Sequence, residues 1–119
     1  MITLEKQYCD LIKANLKLAE LRTRIPLDLS SGDVIYICEK GSNGKVTLKI
    51  EVGHIESRSP GDIYDRYCSE LCINVAEFFR YVGLRKIVHV IFFARVQPLD
   101  CHVNDFGLDR APQWFARLK

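Results

Sequence analysis

The sequence predicts an α+β fold, a small mixed, mostly antiparallel sheet curled into a barrel and flanked by short helices. Three observations predict it. Val46, Leu48, Ile50 and Val52 alternate with Lys45, Thr47, Lys49 and Glu51, the period of two that marks a strand with one wet face. Ile87–Ala94 is apolar on both faces, as a central strand requires. The helical patterns come first and then as one adjacent pair, so the alternating rhythm of a doubly wound parallel sheet is missing.

Taken in order, Tyr8, Leu11 and Ile12 fall at i, i+3 and i+4 and predict a short amphipathic helix over 5–14. Asn15 suits the left-handed turn that ends such a helix. Residues 16–22 then suit a strand, which Ile25-Pro26 breaks, and the turn-rich run 27–33 leads to a β-branched strand at Val34–Cys38. Gly41-Ser42-Asn43-Gly44 is a hairpin signal ahead of the alternating strand 45–52. Ser59-Pro60 places an N-cap before an N1 proline and opens a helix over 61–68. A further helix over 75–82 starts at Asn74 and stops at Gly83, with Val75, Phe78, Phe79 and Val82 as its apolar stripe. The strand 87–94 follows, and the tail from Asp100, with Gly107 and Pro112, reads as ordered loop with a short closing element.

The 119 residues suffice for one core, burying roughly two-thirds of the surface of the unfolded chain, so residues 1–119 are read as a single domain. Seventeen Lys and Arg against fifteen Asp and Glu leave +2, which excludes a polybasic tail while permitting a basic patch. The first residues lack the apolar run of a signal peptide, and 87–94, interrupted by His89, falls far short of the roughly 20 residues a membrane helix needs. A soluble, cytoplasmic protein with no membrane partner is expected. Nothing in the pattern sets an oligomeric state. The five cysteines are odd in number and form no CxxC pair, so they read as free, mostly buried thiols in a reducing compartment. Cys68 and Cys72 share a helical spacing, with Cys101-His102 further on, but lack the tight pairs of a zinc motif; no metal and no cofactor are expected. Glycine-rich phosphate loops, HExxH and nucleophile elbows are missing, which leaves the common hydrolase and nucleotide-binding classes without support.

Charge is concentrated in 17–24. As a strand, this segment puts Glu20, Arg22 and Arg24 on one face and Lys17 on the other. It reads either as an edge strand guarded by charge, or as the border of a cleft where Arg22 or Arg24 meets phosphate. Glu77, three residues after Asn74, reads as the acidic member of a capping box, which leaves chemistry open to it. His89 reads as a hydrogen-bonded core histidine, and Phe78, Phe79, Phe92 and Phe93 as core; Tyr36, Tyr64, Tyr67 and Trp114 suit partial exposure and base stacking.

A short helix, then Lys17, Glu20 and Arg22 as Lys-x-x-Glu-x-Arg, then Gly32-Asp33 opening a strand, then Asn74 and Glu77 as Asn-x-x-Glu, and finally Pro-Gln-Trp-Phe at 112–115, together resemble the ASCH domains of the PUA-like superfamily over nearly the whole chain. The resemblance implies a PUA-like small β-barrel with a cleft beside it. It also implies binding of RNA or a modified nucleoside, in some members as regulators linked to translation, with Lys17, Arg22 and Arg24 as contacts and Tyr64 and Trp114 as stacking residues. Some bacterial members remove an acyl group from the exocyclic amine of cytidine, and some relatives are ribonucleases. The amidohydrolases use a lysine, a threonine and a glutamate: Lys17 matches the first and Glu77 the last, while Glu20 stands where the threonine would be, and Asn15 and Leu18 replace the usual glycine and threonine. In the enzyme reading Lys17, Glu20 and Glu77 are the catalytic candidates, Lys17 activating water or substrate, Glu77 shuttling the proton and Arg22 steadying the oxyanion. A carboxylate beside Lys17 favours its ammonium, the wrong direction for a general base. A regulatory protein-interaction module without chemistry is the third reading.

Overall fold

In the computed structural model, which describes residues 1–118, the strands β1 (Ile2–Leu4), β2 (Ala19–Arg22), β3 (Val34–Glu39), β4 (Lys45–Arg58) and β5 (Val88–His102) form one sheet in the order β1-β3-β4-β5-β2. Every pairing is antiparallel except β1 with β3. The helices are α1 (Lys6–Lys13), α2 (Pro60–Leu71) and α3 (Val75–Val82), and a 3-10 turn spans Val103–Phe106. The α+β class and the mostly antiparallel sheet are those expected. One detail differs: the sheet is open, with β1 and β2 as its two edges.

Two layers of core hold it. Ile2, Leu4, Ile37, Leu48, Ile50 and Ile91 pack with Cys9 and Ile12 of α1 inside the curl of the sheet. On the opposite face, Ala19, Leu21, Val88 and Val90 pack beneath Ile63 and Leu71 of α2 and Phe78 and Val82 of α3. A smaller cluster of Met1, Cys38, Val46 and Val103 joins β1 to the tail.

Several elements depart from the sequence pattern for local reasons. β1 is three residues long, too short for a period to show. β4 runs to Arg58 rather than ending near Val52, because register shifts around Val52 break the alternation where Gly53 lets the β5 backbone approach; a Cβ there would lie 3.2 Å from the Phe92 carbonyl oxygen. β5 starts at Val88, leaving Ile87 exposed, and extends to His102; its outer half pairs with β4, with Val96, Leu99 and Cys101 against the core and polar residues between them, so it lacks a continuous apolar run. α2 continues to Leu71, one turn past Cys68, and ends on Cys72 at φ 52°. In α3 only Phe78 and Val82 are buried; Val75 and Phe79 stay exposed, Phe79 at 45%, because two turns meet the sheet along a narrow line. His89 is half-buried rather than in the core, its Nδ1 2.7 Å from Ser57 Oγ. No helix among the described residues is long and apolar enough to cross a membrane.

Candidate functional site

The site begins with the way α1 stops. Asn15 takes φ 59°, its N–H donates to the Ile12 carbonyl and that of Leu16 to the Leu11 carbonyl, each at 3.0 Å. These two bonds make a Schellman turn, the ending that a left-handed Asn permits. The turn consumes residues 14–18, so β2 starts at Ala19 and Lys17 precedes the strand. The expected placement of Lys17 on the face opposite Glu20 is thereby corrected: Lys17 Nζ lies 3.3 Å from Glu20 Oε1. It also donates to the Leu71 carbonyl at 2.7 Å and sits 5.1 Å from the centre of the Tyr8 ring, with 3% of the residue exposed. Leu71 ends α2, so its carbonyl lacks a helical partner and lies at the negative end of the helix dipole. A carboxylate, that carbonyl and an aromatic face each attract an ammonium.

Glu20 and Arg22 project from the same side of β2, while Ala19 and Leu21 face the α2–α3 core. The strand is at the sheet edge, as the guarded-edge reading requires, and it also borders a cleft. Arg22 lies over the Phe115 ring at 5.2 Å, and its NH1 is 3.8 Å from Glu20 Oε2, outside hydrogen-bond range. Its buried Nε has no partner.

Glu77 performs half of the capping box. The Asn74 side chain accepts from the Glu77 backbone N–H at 2.8 Å, yet the Glu77 carboxylate accepts from Tyr8 Oη at 2.9 Å. Burial, reinforced by that hydrogen bond, pushes the Tyr8 phenol up to about 12, so it stays a proton donor.

These groups meet at a cavity of about 540 Å³ whose walls include Thr3 and Leu4 of β1, Tyr8 of α1, Lys17, Glu20 and Arg22, and Glu77, Arg80 and Tyr81 on α3, with Lys40 beside β1. The two edges of the open sheet thus face one hollow. Its charged lining is Lys17, Arg22, Lys40 and Arg80 against Glu5, Glu20 and Glu77, four positive and three negative, net +1.

Other singled-out residues lie elsewhere. Tyr64 packs against Phe78 at 5.1 Å and Phe79 at 5.6 Å between the helices, and does not line the cavity. Arg24 lies over the Trp114 ring at 5.2 Å, and Trp114 meets Phe115 edge-on at 5.6 Å, so Arg22/Phe115 and Arg24/Trp114 form two neighbouring guanidinium–aromatic pairs. Neither Arg24 nor Trp114 lines the cavity. Among the described residues no group of three or more His, Cys, Asp or Glu is placed to hold a metal ion.

The sequence does not single out Tyr8, Arg80 or Lys40, all of which line the cavity. Spacing puts Tyr8 in the apolar stripe of α1, which conceals the phenol it brings to the cavity wall. Arg80 follows Glu77 by three positions on a helix, a spacing that places both on one face and could have flagged it. Lys40 reaches the site through the pairing of Lys40 N–H with the Leu4 carbonyl, a long-range contact with no local signature.

No protein-family model matches the chain, and no curated protein matches it by sequence. Solved structures do. The crystal structure of the ASCH protein from Zymomonas mobilis superposes with a TM-score of 0.84 at 18% identity, covering 98% of this chain and 86% of the other. A serine-to-alanine variant of that protein gives a TM-score of 0.88 at 19% identity, with 99% and 86% covered. At such identities the likeness establishes the fold, and the fold is that of an ASCH domain.

Proposed function

With an ASCH fold and a charged hollow between the edges of its sheet as the starting point, we propose that this protein is a cytoplasmic module that binds RNA or a modified nucleoside, the chain acting as one domain. The observation that carries this reading is the convergence of Lys17, Glu20, Arg22 and Glu77 on a single cavity. The volume is that of a small-molecule site, and the walls offer donors from Arg22 beside an acceptor in Glu77, which is what the polar edge of a nucleobase needs. The Arg24/Trp114 pair, outside the hollow, supplies a plane on which a flanking base of a single strand could stack. Titration with single-stranded RNA and with N4-acetylcytidine, at low and then rising salt, tests it. Binding of either ligand is the expected result, with the RNA affinity falling as ionic strength rises. Flat isotherms for both at low salt would refute the reading.

A second reading, an amidohydrolase acting on N4-acylcytidine or a ribonuclease, is favoured by the Glu77 carboxylate being released from its cap and held by a phenol. In the amidohydrolase form, Glu77 would take a proton from the attacking water and return it to the departing amine, with Arg22 steadying the oxyanion, giving cytidine and a carboxylate. Lys17, bonded to Leu71 and beside Glu20, would act as a fixed positive charge rather than a base. Release of cytidine from N4-acetylcytidine, abolished in Glu77→Gln, is the expected outcome; turnover that survives Lys17→Ala would remove the lysine from the mechanism.

A further inference from the structure

Arg22 is a cation without a counter-ion at bonding distance. Its side chain is 15% exposed, yet among the described residues its guanidinium makes no hydrogen bond; the closest carboxylate oxygen, Glu20 Oε2, is 3.8 Å away, and the other oxygen of Glu20 is committed to Lys17. Phe115 covers one face of the guanidinium, and a planar fork stacked by its face directs its N–H groups sideways. Leaving its buried Nε unbonded is unfavourable, and the deficit is removed when an anion arrives with two acceptor oxygens, one for Nε and one for a terminal nitrogen. Two more cations lining the same hollow, Lys40 and Arg80, have no carboxylate within 4.0 Å among the described residues. They come from the turn after β3 and from α3, so the three positive groups converge from separate elements on one hollow.

We propose that Arg22, with Lys40 and Arg80, forms a phosphate subsite, and that the cleft takes a ribonucleoside bearing a phosphate ester in preference to the neutral nucleoside. The phosphate subsite stands on the unbonded guanidinium; the nucleoside part rests on the function proposed above. Guanidinium pairs bidentately with phosphate oxygens, and the two peripheral cations add attraction without a fixed geometry. The phosphate ester is carried either by a free nucleotide or by an RNA strand, and the two sources are separated by using both.

The test measures dissociation constants at low salt for cytidine, cytidine 5′-monophosphate, inorganic phosphate and a short oligocytidylate. Wild-type protein, Arg22→Gln and the exposed-site variant Arg80→Gln are compared, with circular dichroism to verify folding. The monophosphate is expected to bind at least about tenfold tighter than cytidine, and Arg22→Gln to close that margin by weakening the monophosphate several-fold more than it weakens cytidine. Arg80→Gln, which leaves the core untouched, is expected to weaken phosphate and monophosphate by about two- to fivefold and keeps the proposal testable if the Arg22 variant misfolds. Tighter binding of the oligocytidylate than of the monophosphate identifies RNA as the source, and the reverse identifies the free nucleotide. Equal affinity of cytidine and its monophosphate overturns the subsite, as does a loss in Arg22→Gln that is the same for both. If inorganic phosphate binds in an Arg22-dependent way and cytidine does not bind at all, the subsite stands and the nucleoside reading falls.

Discussion

Tyr8 joins two candidate residues through one side chain, its hydroxyl on Glu77 and its ring against the Lys17 ammonium. Tyr8→Phe removes the first contact and keeps the second, so it should weaken ligand binding or turnover to nearly the level of Glu77→Gln while changing stability by only about 1 kcal/mol, the scale of one hydrogen bond. Isothermal titration beside chemical denaturation separates the two effects. Alkaline pH gives a second prediction. Burial pushes the Cys9 thiol from 9.0 up to about 11, and burial with Glu77 pushes Tyr8 from 10.0 to about 12. Both groups hold their protons longer in the folded chain, so the unfolded chain deprotonates first. Their contribution is intact below pH 9 and is lost as pH climbs from about 9 to 12. Thermal melts across that range should show a falling Tm, with a shallower fall in Cys9→Ala/Tyr8→Phe than in the parent.

At the scale of elements, the position of the Lys17 ammonium depends on the Schellman turn ending α1. Asn15→Gly should be close to neutral, whereas Asn15→Val forces a branched side chain to φ 59° and should cost about 1–2 kcal/mol, read as a shift in urea midpoint, together with weaker ligand binding. Gly44 is a comparable case, since φ is +92° and a Cβ would come within 2.8 Å of the His102 ring. Gly44→Ala should therefore lower stability by more than about 1 kcal/mol without altering the cleft. Such local signals were legible: Asn15, the Gly41–Gly44 turn, the Ser59 and Asn74 caps and the Gly83 stop all sit where the sequence places them. Features decided by tertiary pairing were not. β1 is held by a parallel partner more than 30 positions away, the bulge at Gly53 hides the second half of β4, and the outer half of β5 is strand only because β4 lies beside it. Within the site, Lys17, Glu20, Arg22 and Glu77 were legible as charges in a pattern, whereas Tyr8, Lys40 and Arg80 became visible only with the fold.

For the molecule as a whole, the tail reaches both edges of the sheet. Thr3 Oγ1 donates to the Pro112 carbonyl at 2.7 Å, Met1 and Ala116 exchange two backbone hydrogen bonds, and Phe115 and Trp114 lie under Arg22 and Arg24. Phe115→Ala should consequently loosen Arg22 as well as the core, costing on the order of 1–3 kcal/mol and reducing affinity for any anionic ligand, which denaturation and titration would show together. The strand order carries a further consequence for how the chain is made. β1 and β2 flank α1 early in the sequence, yet they dock at opposite margins, one on β3 and the other on β5. β1 can dock as soon as β3 has emerged, but β2 waits for β5, so a ribosome must deliver the last strand before the hollow has both of its margins. Binding competence should arrive late and all at once during synthesis, at a pace set by long loop closures rather than by the helices.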